Sequence, residues 1–382
     1  MTASPPPGER RRIVFGVLAV VFGVALGATV VLCLEGVASF YTAIRVARQD
    51  LPVAEWRYCE HDPELGWVGK PSVRVPEMFG PGRGVVTNAR RFRQAAEVAQ
   101  SIPAGKVRVI CSGDSFTFGY GVDTEDAWCN QLSRINPWIE PVNMGQGGYG
   151  LDQSYLWYKR DGVLVEHDLH LLAFIDEGFA RMEVSEELGY AKPVLTLDNG
   201  RLVLRNTPIR KRSGLWRLPG VRSTIAAFQA LHLAGTARSL RSAVAGPGLL
   251  PTQDVPGVVK ALVEDLAKMD REKGRLLAFV YLPTEEDCFK DTPAYLYWSA
   301  FMRDGAAHTG SIFIDLVPEC RQLPAVIIDS MFISGEDTPY YNAAGHYSVE
   351  GNRFVAHKVS SALARDPRVQ TLAAGRFAAP VR

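Results

Sequence analysis

Five short apolar runs set the narrowest limit on what this chain can fold into. They are residues 107–112 ("VRVICS"), 140–144 ("EPVNM"), 169–176 ("LHLLAFID"), 276–282 ("LLAFVYL") and 311–316 ("SIFIDL"). Such runs suit a parallel sheet buried on both faces, whereas a half-solvated strand would alternate polar and apolar residues. Ahead of the fourth run, residues 258–273 carry Val258, Leu262, Leu266 and Met269 on one helical stripe, and Gly274 stops it. A last helix is expected over about 348–364. Strands alternating with helices predict a doubly wound, three-layer α/β domain. A chain of 382 residues has room for one such domain with insertions. The net charge of +1 supplies no global field for nucleic acid, and neither zinc-finger spacing nor an RNA-binding signature is present; nucleic acid is not an expected partner.

The N-terminus carries a different signal. Ile13 to Leu34 runs for 22 residues without a charge. A helix of that length rises about 33 Å, enough to cross a hydrocarbon core of roughly 30 Å. A cleavable signal peptide is the rival reading, but its apolar region usually spans about 7–15 residues. The bulky Leu32 before Cys33 argues against lipoprotein cleavage. Arg10, Arg11 and Arg12 precede the span, Glu35 follows it, and the next basic residue is Arg45. The positive-inside rule then puts the N-terminus in the cytoplasm and residues 36–382 outside it. Gly23 and Gly27 form a small-xxx-small pair that could pack two such helices.

The expected organisation is a cytoplasmic segment 1–12, an anchor 13–34, a juxtamembrane preamble 35–105, an α/β domain 106–365 and a tail 366–382. A lid-like insert, 184–250, interrupts the sheet pattern. It opens with "VLTLDNGRLVL", where Asn199-Gly200 suits a tight hairpin turn, and a helical stretch is expected over about 221–245. From Gly189 to Gly246 there are ten basic residues (Lys192, Arg201, Arg205, Arg210, Lys211, Arg212, Arg217, Arg222, Arg238, Arg241) against one acid, Asp198. That asymmetry is either a solvated face or an attractor for an anionic glycan or lipid headgroups.

Of six cysteines, Cys33 falls in the span, while Cys111 and Cys129 read as small core residues. Cys59, Cys288 and Cys320 lie outside the membrane, where a disulfide is permitted, and Cys288 with Cys320 is the expected pair. No spacing suggests a metal site. His167 and His170 would face opposite ways on a strand. Trp157 and Tyr158 read as core residues or as a platform for a sugar ring.

Three segments carry the chemistry. "GDSFTFGYG" places Ser115 just past the first strand, and ligands of doubly wound sheets bind beyond the carboxyl ends of strands. The bland reading is a turn capped by Asp114. "VNMGQGGYG" (142–150) follows the second strand with glycines that let backbone amides approach a ligand. "GHYSVEGN" (345–352) holds His346 before the last helix. A serine, a glycine-lined loop and a histidine are the nucleophile, oxyanion hole and general base of acyl transfer.

These three segments resemble the first, second and last blocks of the SGNH (GDSL-type) hydrolase superfamily, over roughly residues 106–365, with fainter echoes in "DPELGW" and "TNARRFR". The chain is also similar to membrane-anchored members associated with bacterial envelope polysaccharides. The resemblance implies a flavodoxin-like sheet and makes Ser115 the nucleophile and one oxyanion donor, Gly148 the second donor and His346 the base. Two blocks depart from the family pattern. Asp176 and Glu177 stand where Asn-Asp would supply a third donor, and a carboxylate there serves poorly. The usual acid two or three residues before the histidine is replaced by Ala344 and Ala343; Asn342 is one step further, and Glu336 and Asp337 are the carboxylates that could fold back. Otherwise a Ser–His dyad would rest on a backbone carbonyl. The expected protein is a single-pass, extracytoplasmic esterase or O-acyltransferase of the inner membrane. Its substrate would be an acylated carbohydrate, with no cofactor, and a membrane acyl-donor protein is a further expected partner. The rival is a catalytically silent glycan-binding or assembly protein of the same fold.

Overall fold

The central sheet has five parallel strands: β1 (Val107–Gly113), β2 (Ile139–Gly145), β3 (Leu169–Phe174), β4 (Leu276–Tyr281) and β5 (Ile312–Asp315). Their order across the sheet is β5-β4-β3-β1-β2, the flavodoxin-like arrangement of a doubly wound fold. The computed structural model describes residues 7–48, 53–211, 254–334, 340 and 343–378.

The longer helices are α1 (Pro7–Arg48), α2 (Trp128–Ile135), α3 (Leu151–Arg160), α4 (Val255–Glu272), α5 (Pro293–Thr309), α6 (Val349–Arg365) and α7 (Pro367–Ala378). Alternate strand residues feed two cores, because successive side chains leave opposite faces of a sheet. Ile110, Val142, Leu172 and Phe279 join a core with α3, α4 and α5, to which Val258, Leu262 and Leu266 contribute as the helical stripe predicts. Val109, Cys111, Leu171 and Val280 join the opposite core with α2, α6 and α7. The fold is therefore a three-layer α/β sandwich. Cys288 and Cys320 form a disulfide, as expected. A link across 32 residues contributes about 2–4 kcal/mol by constraining the unfolded chain.

Several boundaries differ from the sequence reading. β3 stops at Phe174, and the chain turns out through Ile175 into a short helix, Glu177–Ala180, whose first amide is capped by the Asp176 carboxylate at 2.8 Å. α4 starts at Val255 because Asp254 caps it and Pro256 sits in its first turn. The segment after Arg365 is helical too, and Val369 and Ala373 of α7 are buried.

The preamble is more than a connector, since Trp67, Val68, Phe79 and Phe92 are buried in the first core. In the insert, Val194–Asp198 and Arg201–Arg205 pair as the expected hairpin around Asn199-Gly200, both at positive φ. Arg201, Arg205, Arg210 and Lys211 are exposed, but Lys192 is not part of that face: it is fully buried, 3.1 Å from Asp152. Arg212 to Arg241 and the helix expected over 221–245 lie outside the described residues.

α1 is continuous beyond the apolar run, and within it Phe15–Val37 is long and apolar enough to cross a membrane.

Candidate active site

Ser115 is delivered by the end of β1. Every residue of that strand is buried, so the chain must leave the sheet before a side chain can meet solvent. Asp114 makes the exit by capping a one-turn helix, Ser115–Phe118; its carboxylate accepts the Phe116 N–H at 2.9 Å. The bland reading of Asp114 is thus correct, and it puts Ser115 on the first residue of the turn.

The glycine loop is fastened to that turn from below. β2 pairs with β1 in register from Val107↔Ile139 to Gly113↔Gly145. A Cβ on Gly145 would lie 2.1 Å from the Phe118 amide nitrogen, so no larger residue fits. Asn143 accepts the Gly145 N–H at 2.9 Å and donates to the Thr117 carbonyl at 3.1 Å, binding strand, loop and turn together. Gly148 has φ +76°, and a Cβ there would lie 2.5 Å from Leu188 and 3.2 Å from Trp67. Trp67 also donates its indole N–H to the Gly147 carbonyl at 2.9 Å. The echo in "DPELGW" therefore has a physical role, which is to support the glycine loop. Among the described residues, nothing accepts the Ser115 or Gly148 backbone N–H.

His346 arrives from the other end of the chain, on the loop before α6. The Ile333 N–H donates to the His346 carbonyl at 2.7 Å and the Gly345 N–H to the Ile333 carbonyl at 2.9 Å, which fixes the loop. The imidazole lies against Phe116 and Tyr120, at centroid distances of 4.9 and 4.7 Å. Its Nε2 is 2.7 Å from Ser115 Oγ, and its Nδ1 is 3.2 Å from the Ala343 carbonyl. A carbonyl can only accept, so Nδ1 carries the proton and Nε2 is left to take one from Ser115.

The dyad opens on a cleft of about 670 Å³, lined by Phe116, Asp176, Glu177, Arg181, Thr284–Asp287, Tyr340 and the loop 343–346 among others. Asp176 is half-buried on its wall, and burial together with the Asp287 carboxylate raises its pKa. Its carboxylate is occupied by the Glu177 amide rather than by the Ser115 turn. Asp337, Glu336 and Asn342 lie outside the described residues.

Trp157 and Tyr158 are 1% and 0% exposed, which agrees with the core reading and leaves no sugar platform. His167 and His170 are tied into the core, His167 through the Val165 carbonyl at 2.7 Å and Tyr158, His170 through Ser112 and Asp270. Two residues near the site gave no sequence signal. Glu55 of the preamble is buried against Gly147, and burial pushes its carboxyl up to about 7. Arg181 contacts both Asp114 and the Tyr149 carbonyl.

No family model matches the chain, and no curated protein does. Among solved structures it is similar to a member of the lipolytic protein G-D-S-L family from Veillonella parvula (15% identity, 68% of this chain and 100% of that one, TM-score 0.36). It is also similar to a lipase/acylhydrolase from Enterococcus faecalis (12%, 67% and 94%, TM-score 0.36). A third is an acetyl xylan esterase (16%, 67% and 99%, TM-score 0.36).

Proposed function

We propose that this chain is an SGNH-type serine hydrolase that cleaves or transfers a small acyl group, acetyl above all, on a cell-envelope carbohydrate. The observation that carries the reading is the 2.7 Å contact between His346 Nε2 and Ser115 Oγ, at the carboxyl end of β1 and beside a cleft. β1 and β3 flank the switch point of this strand order, where doubly wound sheets bind ligands. His346 takes the Ser115 proton as Oγ attacks the ester carbonyl. The free Ser115 and Gly148 amides receive the oxyanion, and the imidazolium then protonates the leaving sugar alkoxide. The acyl group passes from Oγ to water in a hydrolase, or to a second sugar hydroxyl in a transferase.

The cleft also narrows the substrate. Asp176, Glu177, Glu285, Glu286 and Asp287 line it, opposed by Arg181. Such a wall favours a neutral or amine-bearing sugar over an anionic one. The exposed Arg201, Arg205, Arg210 and Lys211 remain the place for an anionic glycan or headgroup at the periphery. An α1 anchored in the inner membrane, with the α/β domain outside the cytoplasm, suits both an envelope substrate and the Cys288–Cys320 disulfide.

The test is acetate release from acetylated oligosaccharides by the full chain in detergent. Wild type should release acetate and Ser115→Ala should not, at equal thermal stability. Equal release by both would end the reading, and no release by either would favour a silent glycan-binding protein. For the location, a reporter active only outside the cytoplasm, fused after Arg382, should be active and should stay with salt-washed membranes; release as a shortened soluble chain would show a cleaved signal instead.

A further inference from the structure

Arg181 follows the short helix that Asp176 caps, and it reaches back into the site rather than out to solvent. Its side chain is 11% exposed. Nη1 lies 3.2 Å from Asp114 Oδ2 and donates to the Tyr149 carbonyl at 3.3 Å, while Nη2 is 2.9 Å from Glu177. Asp114 precedes Ser115 in the chain and Tyr149 follows Gly148, so one guanidinium touches the neighbour of each free amide. Nε has no hydrogen-bond partner among the described residues. The Arg181 carbonyl accepts from the buried Lys192 Nζ at 2.6 Å, which fixes the backbone that carries the guanidinium. Burial alone would lower the Arg181 pKa, but Asp114, Glu177 and Glu187 more than offset it, so the charge is held.

Resting on the esterase reading above, we propose that Arg181 is the positioning residue of the oxyanion hole. It locks the Ser115 turn to the Gly148 loop, and it holds a guanidinium against the Asp114 carboxylate beside the nucleophile. The chemistry requires such a group. Asp114 is 4% exposed and one residue from the nucleophile, and burial raises its pKa. Unopposed, its negative charge would work against an oxyanion forming beside it. Asp176, in the position of the expected third donor, offers no N–H. A guanidinium is suited to both tasks, because its planar fork can donate to a carboxylate and a carbonyl at once while remaining charged.

Steady-state kinetics on a small neutral acetyl ester, with the full chain in detergent, test this. Arg181→Met should lower kcat about 10²–10³-fold, the range for losing an oxyanion contact, while KM changes less than about threefold. Arg181→Lys keeps the charge without the fork and should fall between Met and wild type. If Arg181→Met does not fold, Arg181→Lys carries the test, with at least a tenfold loss of kcat expected. Asp114→Asn keeps the cap and removes the charge. If Arg181 serves only to neutralise Asp114, the double variant Asp114→Asn/Arg181→Met should recover the rate of Asp114→Asn alone. Recovery of that kind would overturn the proposal, as would wild-type kcat in a folded Arg181 variant. The esterase reading has its own readout: labelling of wild-type Ser115 by a fluorophosphonate. Labelling that proceeds equally fast in wild type and Arg181→Met removes this inference and leaves that reading standing.

Discussion

Two serine–histidine pairs begin three residues apart, one within β1 and one just past its end, and they are opposites. Ser112, inside β1, lies 2.6 Å from His170 Nε2, and His170 Nδ1 lies 3.3 Å from Asp270. Tyr158 stacks on that imidazole at 3.5 Å, and Ser112, His170 and Asp270 are all 0% exposed. Ser115, just beyond the strand, faces His346, whose other nitrogen meets the Ala343 carbonyl. By bond pattern the buried set is a complete Ser–His–Asp constellation. It has no room for a substrate, and the strand ladder occupies its backbone amides. The Ser115–His346 pair lies beside a cleft, with two backbone N–H groups that nothing accepts among the described residues. A hydrogen-bond pattern alone does not make a nucleophile; position at the end of a strand does, because there the backbone can turn its donors toward a ligand.

The largest effect should come from removing each histidine. His346→Ala should cut turnover about 10⁴–10⁶-fold, as for the base of a Ser–His unit, with little change in melting temperature. His170→Ala should do the reverse. It removes one of the two side-chain donors to the buried Asp270 carboxylate, leaving the Tyr158 O–H, at a cost of about 1–3 kcal/mol, while activity per folded molecule is retained. Thermal melts alongside kinetics check both, and a stable but inactive His170→Ala would break the comparison.

Acid sensitivity should also belong to the core, at His167, which shares Tyr158 with His170. Burial, with the Arg275 cation beside it, pushes His167 down to about 3 from its ordinary 6.5. Unfolded chains take up that proton below about 6.5 while the folded chain resists it, so stability is full above 6.5 and is lost as pH falls towards 3. His167→Gln should flatten denaturant-measured stability between pH 6.5 and 4. An unchanged slope would assign acid lability elsewhere.

Sequence reading was most successful where local chemistry repeats along the chain. The apolar runs marked the five strands of the central sheet, and Ser115 and His346 were legible as candidates because each lies in a motif at a strand or helix end. It was least successful where function depends on contacts between distant segments. Arg181 sits in an ordinary "FARME" stretch, and its partners Asp114 and Tyr149 are 67 and 32 residues away. Trp157 and Tyr158 read as core or as a sugar platform, because aromatic residues look alike in sequence whether exposed or buried, and the structure favours the core. α7 was missed because its few apolar positions are spread over a short, alanine-rich segment.

A smaller effect should sharpen the contrast between cleft and core. Glu285→Gln with Glu286→Gln removes two exposed charges from the cleft wall. kcat/KM for an anionic acetyl ester should rise a few-fold at low salt, and the gain should fade near 1 M, where screening shortens to about 3 Å. A neutral ester should be unaffected. An equal change for both esters would mean that these residues shape the cleft rather than charge it.

The most direct test is to label the full chain in detergent with a fluorophosphonate, digest it and identify the modified serine. Position, not bond pattern, decides which serine reacts, so the adduct should be on Ser115 alone and should vanish in His346→Ala while persisting in His170→Ala. An adduct on Ser112, or acetyl-ester turnover with no adduct on Ser115, would contradict the account.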